Sequence, residues 1–174
     1  MYGKTTCLVP LSNDEPKLTG KEVYPIVGPP SEMSLFLEAE YGSIMKKMKG
    51  LNRHYSCLEK ALIVRSHIQG GIVIIGSLLI WNNERTGTYG YYYNPPLEFH
   101  AWVQLFNPMM IIDFGLPGAI EKGMLARDHI GPILKDMNPV ILCGMPLSFT
   151  VYEGHETLSE VDCKHLATKF SLDI

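Results

Sequence analysis

A chain of 174 residues that is 46% hydrophobic and 19% charged can fill one apolar core and is not composed like a disordered segment. Its formal net charge of −3 implies no strongly basic face of the kind nucleic-acid binding rests on, so no nucleic-acid partner is expected. Four cysteines, Cys7, Cys57, Cys143 and Cys163, are far apart with no CxxC pair, which argues against a disulfide scaffold or a zinc ribbon and for reduced thiols in a cytoplasmic setting.

Residues 1–30 read as an irregular arm. Charges such as Lys4, Asp14, Glu15, Lys17 and Lys21 are scattered through it, it has no apolar core of signal-peptide length, and it ends in the stiff Gly28-Pro29-Pro30. Residues 31–174 are then expected to form one domain. Ser31 is a good N-cap, Glu32 suits a first turn, and Leu35, Phe36, Ala39, Ile44, Met45 and Met48 recur at helical spacing up to a stop at Gly50. A second helix starts at Ser56, burying Leu58, Ala61, Leu62, Val64 and Ile68, with Glu59, Lys60 and Arg65 facing outward, and ends at Gln69-Gly70-Gly71. Cys57 therefore falls in its first turn.

Residues 72–81 are rich in Ile, Val and Leu and predict a buried strand; at about half the length of a membrane span, the stretch implies no membrane crossing. Residues 82–96 are polar, aromatic and bounded by Gly and Pro, which predicts a loop or long hairpin tip whose Tyr89, Tyr91, Tyr92 and Tyr93 either contact substrate, form a lid or pack on the protein itself. Residues 97–106 alternate, with Phe99, Ala101, Val103 and Leu105 on one face and Glu98, His100, Trp102 and Gln104 on the other. Asn107-Pro108 makes a turn into a strand over 109–114. One or two short helices broken at Gly131-Pro132 are expected within 119–136, closing strands at 140–143 and 147–152, and a last helix over 157–170 capped by Thr157 with Glu160. The whole reads as an α+β fold with helices packed on an antiparallel sheet.

A thiol nucleophile needs its anion stabilised, a base for its proton and a group that orients the base. At a helix N-terminus Cys57 has the first condition, although the end effect contributes only about 0.3–1 kcal/mol, so an imidazolium must do most of the activation. His100 lies on the polar side of its strand and Asp113 lies in the next one. With the hairpin centred between residues 106 and 107, the two face each other directly, at a Cβ separation of about 4.5–5.5 Å that permits a hydrogen bond. An acid inside the apolar run Ile111-Ile112-Asp113-Phe114 also needs a partner, because an unpaired buried charge is costly.

These residues carry a resemblance. Ser56-Cys57-Leu58 at a helix start, the strand from Ile72, the phrase Phe99-His100-Ala101-Trp102-Val103-Gln104-Leu105 and Asp113 on the following strand are similar in type and order to the papain-like, transglutaminase-like core. The matching stretch runs over residues 52–115, and within that superfamily it most resembles small bacterial proteins related to lasso-peptide leader peptidases. The resemblance implies that Cys57 is the nucleophile, His100 the base and Asp113 the orienting acid. It further implies a cysteine peptidase or deamidase acting on a peptide or protein amide, without metal or cofactor. The chain departs from the pattern in its insertion over 82–96 and in Gln104, where many members carry Glu.

Asn52 and Tyr55 are candidates for oxyanion or substrate contacts, and Trp102 for shielding the imidazole or lining the cleft. His54 belongs to the approach loop and is expected at the surface or on the substrate. Two other readings stay open: transfer of the acyl group to an amine, as in a transglutaminase or acyltransferase, and a non-catalytic binding protein with an idle triad. A zinc site built from Cys57, His100 and Asp113 is a rival that lacks a fourth ligand. Cys143 reads as core, and Asp162, Cys163 and His165 as parts of an amphipathic helix. The sequence carries no signal of oligomeric state.

Overall fold

The computed structural model of the protein describes residues 16–126 and 132–174. It has an α+β architecture: α1 (Glu32–Met48) and α2 (Cys57–His67) precede the main strands, α3 (Leu116–Leu125) interrupts them and α4 (Glu160–Lys169) closes the chain. The strands are β1 (Ile26–Val27), β2 (Ile72–Trp81), β3 (Thr88–Tyr91), β4 (His100–Phe106), β5 (Met109–Asp113), β6 (Ile141–Gly144) and β7 (Thr150–Thr157). Among the described residues no helix is long and apolar enough to cross a membrane.

The first helix begins where Ser31 places it, through a reciprocal capping box with Ser34. Its inward stripe is Leu37, Ile44, Met45 and Met48, whereas Leu35 and Phe36, expected in the core, are exposed. Helix α2 departs further from expectation: Glu59 and Lys60 do not face outward but are buried with the rest of its first two turns. The helix lies centrally, in contact with α1, β2, β4 and α4, so it has no wet face in that stretch. Lys60 is accommodated because its ammonium donates to the Arg53 carbonyl at 2.7 Å.

All seven strands form one sheet, in which β1, β6, β5, β4 and β2 are successive neighbours. β1 pairs parallel with β6, so the described part of the N-terminal arm is not wholly irregular, and Leu18 lies in the core. Strands β3 and β4 pair with different stretches of β2, and β7 pairs with both of those stretches, so β7 must take the opposite edge. Of the two forms expected for 82–96, a loop or a long hairpin tip, the structure forms a hairpin, with β3 returning along β2 so that Tyr89 and Tyr91 are strand residues. A register shift in the β2–β7 ladder falls at Ile75/Gly76. A Cβ on Gly76 would stand 1.9 Å from the Glu153 carbonyl oxygen, so only glycine lets β7 cross there.

The β4–β5 hairpin is centred one residue later than the sequence suggested. Phe106 pairs with Met109 and Val103 with Ile112, which leaves Asp113 across from Trp102 rather than from His100. His100 and Asp113 still share a face, as diagonal neighbours. Gly76 pairs with His100, Ile74 with Trp102, and Leu78 with both Tyr91 and Tyr152, so this face also carries three aromatic rings around His100. In the C-terminal part, α4 is capped by Ser159 and Asp162 rather than by Thr157 and Glu160, because β7 runs on through Thr157. The expected break at Gly131-Pro132 has its glycine outside the described residues.

Candidate active site

The turn before α2 is built by Asn52, whose side-chain oxygen accepts from the backbone N–H groups of His54 at 2.9 Å and Tyr55 at 3.0 Å. Ser56 takes the N-cap position without a capping bond; its hydroxyl donates to the Asn52 carbonyl instead. The chain therefore enters the helix with Cys57 as its first residue. The Cys57 sulfur lies 3.8 Å from the Phe99 carbonyl oxygen, immediately before His100.

His100 is wholly buried and stands between the thiol and an acid. Its Nε2 is 2.7 Å from Asp113 Oδ2, and the Cys57 thiol is a second hydrogen-bonding partner of the ring. Burial acts to lower its pKa, but the charge and hydrogen bond of Asp113, with a smaller contribution from Cys57, outweigh burial and raise it to about 10. The ring is thus an imidazolium at neutral pH, the form that favours a neighbouring thiolate. Tyr91 stacks nearly parallel to it, with centroids 5.8 Å apart, and Trp102 lies at 6.2 Å on an interplanar angle of 23°. Tyr152 is tilted against it at 6.2 Å and packs edge-on to Trp102 at 5.1 Å. This aromatic box keeps water from the imidazolium–carboxylate pair and offers π faces to the cation.

Asp113 accepts four hydrogen bonds. Oδ1 takes the backbone N–H groups of Gly115 at 2.7 Å and Leu116 at 3.0 Å, at the start of α3. Oδ2 takes His100 and the Tyr152 hydroxyl, both at 2.7 Å. The acid therefore both caps a helix and holds the imidazole. Gly115 shows how tightly the group converges: a Cβ there would lie 3.0 Å from His100 Cε1, 3.1 Å from Asp113 Oδ1 and 3.1 Å from Cys57 Cβ.

The structure brings Cys57, His100, Asp113 and Trp102 together and sets Asn52 and Tyr55 in the loop before Cys57. Asn52 uses its oxygen to shape that loop, and the Tyr55 ring is buried with Lys122 stacked over it at 4.9 Å. The helix start at Cys57 also supplies backbone N–H groups of the kind an oxyanion accepts. His54 is not at the surface: it is buried, with Nε2 3.5 Å from Glu121. Glu121 also accepts from the Tyr24 hydroxyl at 2.9 Å, and Arg53 bonds Glu22 at 3.0 Å, tying the N-terminal arm and α3 to the loop before Cys57. Burial opposes ionisation of Glu22, but bonds from Thr19 and Arg53 prevail and lower its pKa to about 2.

Sequence reasoning missed Tyr91, Tyr152 and Gly115. In the sequence Tyr91 stands out only as one of a cluster, of which Tyr93 stacks on His155 at 4.4 Å and Tyr92 is exposed. Tyr152 reaches Asp113 through the β2–β7 pairing, for which the sequence holds no local signal. Gly115, two residues after the acid, could have been singled out as a point of close approach. Of the other described thiols, Cys143 is pushed up to about 11 by burial and Cys163 is raised by burial too, so both hold their protons at neutral pH. Among the described residues no group of three or more His, Cys, Asp or Glu side chains is arranged to hold a metal ion.

Two depressions flank the site. One of about 300 Å³ is lined by Asn52, Tyr55, Ser56 and Glu59, and one of about 480 Å³ by Trp102, Gln104, Met109 and Tyr152. Neither is lined by Cys57, which is only 3% exposed. Compared with family models, curated proteins and solved structures, the chain matches none.

Proposed function

We propose that the chain is a thiol-dependent hydrolase that cleaves a peptide or protein amide through an acyl-enzyme on Cys57. The observation that carries this reading is the line Cys57–His100–Asp113, with a buried imidazolium bonded to the thiol on one side and to a carboxylate on the other. The resemblance of the same residues to the transglutaminase-like core supports it. In the proposed reaction the Cys57 sulfur, its proton held by His100, attacks the amide carbonyl carbon and forms a C–S bond. As the C–N bond breaks, His100 gives the proton to the leaving nitrogen. Water then attacks the thioester, His100 takes its proton, the C–S bond breaks and the acid leaves with the thiol restored. Asp113 keeps the imidazole oriented and stays ionised throughout. No step requires a metal or cofactor. An amine in place of water would give transfer instead, from the same thioester. Thiols at Cys57, Cys143 and Cys163 suit a reducing compartment such as the cytoplasm.

A second reading, a binding protein whose triad is idle, is favoured by one observation: the burial of Cys57. For catalysis the walls around it must open to admit a carbonyl. Labelling with peptide-like thiol electrophiles separates the two readings. The enzyme reading expects Cys57 to be modified at neutral pH before Cys143 or Cys163, and the Cys57→Ala protein to lose that labelling. Modification of Cys143 or Cys163 first, or an electrophile that labels Cys57 no faster than Cys7, refutes it.

A further inference from the structure

We propose that Tyr152 is a positioning residue of this reaction: its hydroxyl, donated to the same Asp113 oxygen that receives the His100 ring nitrogen, fixes the carboxylate and limits the negative charge it presents to the imidazole. This rests on the reading of Cys57, His100 and Asp113 as a catalytic set, and adds a member that the set does not require. The geometry is specific. Two backbone N–H groups hold Oδ1, while His100 and Tyr152 share Oδ2, each at 2.7 Å. During turnover the imidazole must exchange protons with the sulfur and the leaving group. With Oδ1 pinned by the two N–H groups, an Oδ2 that met His100 alone could still swing with the imidazole. With Tyr152 in place, Oδ2 stays anchored from a different strand.

That anchoring comes from the fold. Leu78 of β2 pairs with Tyr152 while Gly76, on the same face of β2, pairs with His100, so one strand sets the spacing between the hydroxyl and the ring it supports. Burial, followed by the charge of Asp113, holds the phenol pKa well above 10, so the hydroxyl remains a donor over the whole working range. A donor on Oδ2 draws charge from that oxygen and weakens its hold on the His100 proton. Tyr152 therefore tempers the basicity that Asp113 confers, keeping the imidazolium able to surrender its proton to a leaving nitrogen.

Tyr152→Phe removes the hydroxyl and keeps the ring against Trp102 and His100. Two readouts apply. In proton NMR the His100 Nε2–H resonance is expected downfield in the unaltered protein, from its short bond to Asp113, and further downfield in Tyr152→Phe. The alkaline limb of the pH profile for Cys57 labelling should rise by about half a unit or more, as expected when a neutral donor to the partner carboxylate is lost. On a cleaved substrate, kcat should fall with KM nearly unchanged, since the hydroxyl touches no substrate. A role in packing alone would move thermal stability and none of these. An unchanged His100 resonance together with an unmoved alkaline limb overturns the proposal, even if Cys57 proves to be a fully active nucleophile. A shifted resonance supports the Tyr152 assignment even if Cys57 proves inert, so the two ideas fail separately. Should Tyr152→Phe not fold, the unaltered protein still decides: a slowly exchanging Tyr152 hydroxyl proton with a nuclear Overhauser contact to His100 Nε2–H is expected, and its absence overturns the assignment.

Discussion

Gly115→Ala adds a single methyl group at the point where the thiol, the imidazole and the carboxylate meet. The backbone there is already right-handed helical, at φ −83° and ψ −20°, so alanine meets no conformational penalty and the perturbation is purely steric. The new methyl would sit 3.0 Å from His100 Cε1, 3.1 Å from Asp113 Oδ1 and 3.1 Å from Cys57 Cβ, closer than ordinary contact on three sides. None of the three can give way cheaply: Asp113 is fixed by four hydrogen bonds, His100 by three rings, and Cys57 by its helix. Overpacking a core by one methyl typically costs about 1–3 kcal/mol. For a domain of this size that is a fall in Tm of roughly 2–12 °C. Displacing the reacting groups by a few tenths of an ångström should slow the reaction about tenfold, given that a 1 Å misplacement can cost about 10²-fold. The assay pairs thermal denaturation with the rate of electrophile capture at Cys57. Gly42→Ala is the matched control: it lies within α1 with nothing near its added Cβ, so it should stabilise by about 0.5–1 kcal/mol and leave capture unchanged. If Gly115→Ala behaves like Gly42→Ala, the three groups do not converge there and the site geometry is wrong.

Asp113→Asn keeps an oxygen for the Gly115 and Leu116 N–H groups but removes the charge. Activity should fall about 10²–10⁴-fold, with a stability loss of about 1–3 kcal/mol from the weakened hydrogen bonds; undiminished activity would remove Asp113 from the mechanism. The pH dependence of stability follows from His100. A folded-state pKa raised from 6.5 to about 10 stabilises the fold fully below the unfolded value, and that stabilisation is lost as pH rises through about 10. Urea denaturation should therefore show the unaltered protein losing more stability between pH 6 and pH 10 than His100→Gln does; parallel profiles would mean that His100 carries no proton in the folded state at neutral pH.

What could be read from the sequence is what local patterns encode. Ser31 placed α1, the run from Ile72 placed β2, and the alternation around Phe99-His100-Ala101 placed β4 with His100 opposite the apolar row. Cys57 fell at a helix start because serine before an apolar run is a helix signal, although Ser56 proves to bond Asn52 and not the helix. The errors lie where tertiary context overrides pattern. Glu59 and Lys60 look solvent-facing on an isolated helix, but α2 is surrounded. The hairpin register slipped by one residue because the two-residue turn is Asn107-Pro108 itself, with Phe106 still paired to Met109, and not residues 106 and 107. The aromatic box could not have been foreseen: Tyr91 and Tyr152 arrive from β3 and β7, and only the pairing of both with Leu78 sets them around His100.

The buried ion pair bears on whether this arrangement is a machine or a relic of packing. Taking an imidazolium and a carboxylate out of water costs several kcal/mol per ion, and well-packed apolar residues of similar volume are often as stable or more so. Folding by itself therefore gives little reason to place His100 at a position with no exposure. Asp113 is less decisive, since capping α3 would justify an acid there without any reaction. Tyr152 could serve that cap as well. Among the described contacts His100 shows no such second employment: its Nε2 meets the acid, its other side meets a thiol at a helix start, and its faces are closed by aromatic rings. A methionine or leucine would fill the same space without a charge to desolvate. The residue that folding explains least is the one that thiol chemistry requires, and it is on His100 that the case for an enzyme rests.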